Sequence, residues 1–100
     1  MLGKEKSREV RLQIRAILMT EWDPIGVSDV PHAADEYDSY IGGVYELLEQ
    51  GESEESISAY LREIETERMG MTNASGEPII PEGTRNAAAA SLKRLGHYFR

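Results

Sequence analysis

Residues 35–50 read DEYDSYIGGVYELLEQ. Within them Tyr37, Tyr40, Ile41, Val44, Leu47 and Leu48 recur at spacings of three, one, three, three and one, which is one face of an α-helix. The spacing predicts a helix over 35–50. Asp35, Glu36 and Asp38 fall in its first turn, where carboxylates favour the positive end of the helix dipole and can cap free N–H groups. Gly42 and Gly43 work against it, at roughly 1 kcal/mol of helix propensity each. Their gain is that a second helix can come close. Gly51 suits a C-cap.

Downstream, Ser53 is a good N-cap for a helix over 53–69, with Glu54 and Glu55 in its first turn. Ile57, Tyr60, Leu61, Ile64 and the stem of Arg68 mark its inner face. About two residues separate these helices, which predicts an antiparallel α-hairpin. Residues 71–83, MTNASGEPIIPEG, read as a long loop in which Ile79 and Ile80 are pinned onto the core between Pro78 and Pro81. A flexible linker is the alternative. Thr84 can cap a last helix over 85–96, with Ala87, Ala88, Leu92 and Leu95 inward and Arg85, Lys93, Arg94 and Arg100 making it basic.

Upstream, Val10, Ile14, Ile17 and Leu18 give a stripe for a helix over 4–21. Arg8, Arg11 and Arg15 share another face. Pro24 stops this helix, because it lacks an N–H and restricts Asp23. The expectation is an all-α single domain, residues 1–100, of four helices. The central hairpin is closed by the first helix and covered by the fourth. No internal repeat is evident.

Among 100 residues, 40% are hydrophobic and 29% charged, a globular proportion. Without cysteine, neither a disulfide framework nor a thiolate metal site can form. The N-terminal MLGKEKSREV is too charged for a signal peptide. No apolar run approaches the roughly 20 residues needed to span a bilayer. These features lead us to expect a cytoplasmic protein with no membrane association. The net charge of −7 is unevenly spread: residues 21–67 carry fourteen acidic side chains and one basic one, Arg62, while the flanking segments are basic. Such a middle repels phosphates and attracts a basic partner. Tyr45, off the main stripe, joins Glu36, Glu46, Glu49, Glu52, Glu54 and Glu55 as a candidate partner-binding surface, since tyrosine offers rigid contact area with a polar tip.

Residues 22–27, WDPIGV, join the first two helices. Trp22 is suited to anchor, Pro24 to stop, Gly26 to turn, and Asp23 to accept hydrogen bonds in an Asx-type turn. With Tyr37 and Asp38 they form a structural corner. A different reading gathers Asp23, Asp35 and Asp38, with Asp29 and Glu36, into a divalent-metal or enzymatic centre. The spacing fits no EF-hand, and there is no Gly-rich phosphate loop, H-E-x-x-H or G-x-S-x-G. His32 and His97 are each isolated, and nothing in the spacing of Ser28, Ser39 and His32 suggests a triad. No catalytic or metal-binding residue is assigned and no cofactor is expected.

The order ILMTEWDPIGV, DEYDSYIGGVYELL, ESISAYLREIETERMGM resembles an uncharacterised family of small bacterial all-helical proteins. They share a Trp-Asp-Pro-x-Gly corner followed by a Tyr-Asp helix. The resemblance covers about residues 14–71 and is carried by Trp22, Asp23, Pro24, Gly26, Tyr37 and Asp38. It implies a helical fold and little about activity. Some similar small acidic proteins resemble immunity partners of secreted toxins.

Three functions follow as expectations. The first is a non-catalytic acidic protein that binds a basic protein, of immunity type. The second is the metal-binding or enzymatic centre at Asp23, Asp35 and Asp38. The third is a nucleic-acid binder through Arg8, Arg11, Arg15 and the basic last helix, which the overall charge opposes. Oligomeric state is not readable.

Overall fold

The computed structural model describes residues 2–26 and 35–99. Helix α1 spans Lys4–Ile17 and continues through a π-helical turn, Leu18–Trp22. Helix α2 spans Asp38–Glu49. Helix α3 spans Glu54–Glu63 and also ends in a π turn, Ile64–Arg68. Helix α4 spans Glu82–Arg94 and tightens into a 3₁₀ segment, Leu95–Phe99. The all-α, four-helix architecture is therefore as expected. Among the described residues, extended pairing is limited to a bridge between Thr72 and Pro78. The Cα radius of gyration, 13.4 Å, matches the value of about 13 Å for one packed domain of this length.

One core joins all four helices. From α1 and its π turn come Val10, Ile14, Leu18 and Trp22, each four residues after the last. Tyr37, Ile41, Val44 and Leu48 face them, with Ile57, Leu61 and Ile64 from α3 and Ala88, Ala89, Leu92 and Leu95 from the last helix. Each large side chain fully buried here contributes about 1.5–3 kcal/mol. Arg15 reaches Asp38 at the start of α2, while Arg11, one turn earlier, lies over Tyr45, two turns later. Helices α1 and α2 thus run antiparallel.

Several local expectations are confirmed in detail. Ser53 caps α3 by accepting the Ser56 N–H at 3.1 Å. Gly51, at φ +70°, closes α2 in a Schellman motif: its N–H reaches the Leu48 carbonyl, and the Glu52 N–H reaches Leu47. At Gly43 an added Cβ would lie 2.0 Å from the Tyr60 hydroxyl, so this glycine admits α3. Gly42 has nothing within 4 Å and serves no such approach.

Other expectations are corrected. Helix α2 begins at Asp38, not 35: residues 35–37 form a turn that rotates the Tyr37 ring inward, and no side chain caps the helix. Asp35 and Asp38 are thus not caps. Helix α4 starts at Glu82, behind Pro81, and Thr84 does not cap it. Its inner face is Ala88 and Ala89 rather than Ala87, which is exposed. Ile79 is 53% exposed and not pinned to the core. The loop is nonetheless built: Asn73 Oδ1 accepts the N–H groups of Ser75 and Glu77, and the Ile79 N–H reaches the Met71 carbonyl. Glu65, four residues after Leu61, is fully buried, whereas Arg68 is exposed because the π turn inserts an extra residue and shifts the helix face that follows.

Candidate interaction surface

The π turn of α1 ends with the Asp23 N–H on the Leu18 carbonyl at 2.8 Å. Asp23 then takes the left-handed conformation at φ 36°, and Pro24 is buried behind it. A non-glycine residue there carries about 1–3 kcal/mol of strain. The Tyr37 hydroxyl holds the turn: it donates to Asp23 Oδ1 at 2.7 Å and accepts the Ile25 N–H at 3.2 Å. Burial, and then the hydrogen bond to Asp23, push the Tyr37 phenol well above its usual range. Tyr37 is fully buried. The Trp22 ring packs tilted on Tyr37 at 5.5 Å and edge-on to Tyr40 at 6.4 Å.

Beneath the corner lies a buried polar triad. Trp22 Nε1 donates to Glu65 Oε2 at 2.7 Å, and Arg85 clamps the same carboxylate, Nη2 to Oε1 at 2.6 Å. Arg85 Nη2 also reaches the Ile80 carbonyl at 3.3 Å. Glu65 is 0% and Arg85 4% exposed, and no buried side-chain polar atom among the described residues lacks a partner. Arg85 is therefore not part of a basic surface, as the composition of the last helix suggested. Glu65 was missed at the sequence level, although it stands four residues after Leu61 and eight after Ile57. An acid in register with the core stripe was the available signal.

Asp23, Asp35 and Asp38 do not converge. Asp23 accepts from Tyr37, and Arg15 holds Asp38 through Nε at 2.8 Å and through Nη2. That hydrogen bond, with the charge of Asp38 and more weakly of Asp35, raises the Arg15 pKa. Asp35 and Glu36 are exposed. Among the described residues no group of three His, Asp or Glu side chains could hold a metal ion. Ser28, Asp29, Pro31 and His32 lie outside the described residues. His97 Nδ1 meets the Arg94 carbonyl at 2.7 Å, a helix-end contact.

The acidic surface gathers where α2 hands over to α3. Glu46, Glu49, Glu54 and Glu55 are exposed there, and Glu52 is half-buried between them. None of these carboxylates takes part in the ion pairs found among the described residues, which join Lys6 to Glu9, Arg15 to Asp38 and Arg85 to Glu65. Lys93 comes close but donates to the backbone carbonyls of Gly51 and Glu52, leaving the acids uncompensated. Glu36 stands apart, before the first residue of α2, at the opposite end of that helix from Glu46 and Glu49. Tyr45 is half-buried rather than free: its ring meets Phe99 edge-on at 5.2 Å and lies under Arg11 at 4.5 Å.

No helix among the described residues is long and apolar enough to cross a membrane. Comparison with protein-family models, with curated proteins and with solved structures found no match.

Proposed function

We propose that the chain is a non-catalytic interaction protein whose acidic α2–α3 end binds a basic protein. The observation that carries this reading is the placing of Glu46 and Glu49. Both are exposed near the C-terminal end of α2, and no basic side chain lies in its last turn. A carboxylate at that end faces the negative pole of the helix dipole, at a cost of about 0.3–1 kcal/mol each. A cationic partner relieves that cost, whereas Glu54 and Glu55, at the start of α3, already sit favourably. An immunity-type protein that neutralises a basic toxin is the concrete form we favour. The cytoplasm is the expected compartment.

Electrostatically steered binding is fast and falls steeply with salt. A pull-down from native lysate at low and high salt, followed by association kinetics with the recovered partner, tests the proposal. The Glu46→Lys, Glu49→Lys double variant should slow association by about tenfold or more, given the range that steering spans. A partner whose association rate ignores both salt and this variant overturns the reading.

A further inference from the structure

A second surface, of opposite sign, lies along α1. An open groove of about 450 Å³ runs beside this helix toward α2, with Lys4, Arg8, Arg11, Leu12 and Ile41 in its lining. Its arginines are not equivalent. The charge of Arg15 is met by Asp38, and the Arg11 guanidinium lies over the Tyr45 ring. Lys4 and Arg8 are exposed, and their side chains make no hydrogen bond or ion pair with any described residue. Between them and Arg15 stands Leu12, 55% exposed.

We propose that this groove docks an acidic segment of a partner protein that carries an apolar side chain. The carboxylates would meet Lys4, Arg8 and Arg11, and the apolar group would cover Leu12. Charge complementarity and the exposed leucine together select this occupant. From Lys4 to Arg15 the helix rises about 17 Å, the length of three helical turns or about five extended residues. A nucleic-acid backbone suits the groove less well. It offers no apolar group to Leu12, the Asp38 carboxylate stands in the wall, and a net charge of −7 opposes a polyanion. In the last helix Arg85 is buried, Lys93 bonds carbonyls and Arg94 donates to the Ser91 hydroxyl, so they do not extend the patch. A second copy would present its own acidic end, a heterologous contact that builds rings or open chains. The docking site is independent of the acidic end.

The test uses fluorescence anisotropy with a labelled synthetic peptide of Glu and Asp with leucines one helical turn apart. The comparisons are the same peptide with serine for leucine, and single- and double-stranded DNA of equal charge. Arg8→Glu and Leu12→Ser should each weaken binding of the leucine peptide by about tenfold or more, the scale of one lost charge-assisted or apolar contact. Glu49→Lys, on the acidic end, should not weaken it. Both tested side chains are exposed, and circular dichroism checks that the variants fold. The proposal is overturned if the leucine peptide does not bind, if the serine peptide or DNA binds as tightly, or if Arg8→Glu has no effect. Self-association seen by sedimentation and abolished by Arg8→Glu would assign the groove to a second copy and overturn it too.

Discussion

The indole N–H of Trp22 donates to the Glu65 carboxylate at 2.7 Å, and this bond ties the π turn that ends α1 to the π turn that ends α3. Each turn inserts one residue, and each carries the side chain that meets the other. Arg85, from the last helix, completes the triad. Three helices are thereby set by one carboxylate in the buried core.

Removing that carboxylate should be severe. Glu65→Ala leaves Arg85 buried and unpaired, at a cost of about 3–5 kcal/mol. Replacing both partners by apolar residues of similar volume, Glu65→Leu with Arg85→Met, should recover part of the loss, the remainder being the Trp22 indole N–H left without its acceptor. Urea unfolding followed by Trp22 fluorescence measures both. Equal destabilisation by the single and the double variant would contradict the role given to Arg85.

The two adjacent glycines should respond in opposite directions. Helix propensity alone favours alanine by about 1 kcal/mol at either site. Gly42→Ala meets nothing within 4 Å and should raise the thermal midpoint. Gly43→Ala would place its Cβ 2.0 Å from the Tyr60 hydroxyl and 2.5 Å from the ring, and should lower it. Adding Tyr60→Ala should remove the penalty specific to Gly43→Ala, read as a double-mutant cycle.

Asp23 combines a positive φ with a hydrogen bond from Tyr37, so its substitutions separate the two. Asp23→Asn tolerates the left-handed region and keeps an acceptor, and should be mild. Asp23→Ala loses both, at about 1–3 kcal/mol. Denaturant melts that rank alanine at or above asparagine in stability would refute the description of the corner.

Alkaline pH should weaken the fold through Tyr37. Its phenol is raised in the folded state by burial and by the Asp23 hydrogen bond, so the native chain prefers the protonated form. The stabilisation is complete below the unfolded value of about 10 and is lost as pH rises through the folded one. Tyr60, raised by burial, acts in the same direction. Ultraviolet titration should show tyrosines that ionise only as the chain unfolds. Ionisation of all five tyrosines near the ordinary value, with the fold intact, would contradict this.

The acidic end and the arginine groove were unequally legible. Charge counts locate an acidic middle, since Glu46, Glu49, Glu54 and Glu55 lie close together along the chain. They cannot tell which acids the fold consumes. Asp38 and Glu65 are taken by Arg15 and Arg85 from 23 and 20 residues away, and Lys93 turns to backbone carbonyls rather than to the Glu52 carboxylate. The row Arg8, Arg11 and Arg15 was visible as one face. That only Arg8 of the three remains unengaged depends on Asp38 and Tyr45, which belong to another helix.

The sequence by itself determined the helices. Periodicity, Ser53, Gly51 and Pro24 are local signals, and hydrogen bonds within a helix span only a few residues. Tertiary structure alone decided the π turns, the burial of Glu65 and Arg85, the inward Tyr37 and the left-handed Asp23. Each is unfavourable where it stands and persists because a residue remote in sequence compensates it. Desolvation of a charge or a strained dihedral is offset only by a partner that packing delivers, and no periodic pattern within one helix records that partner.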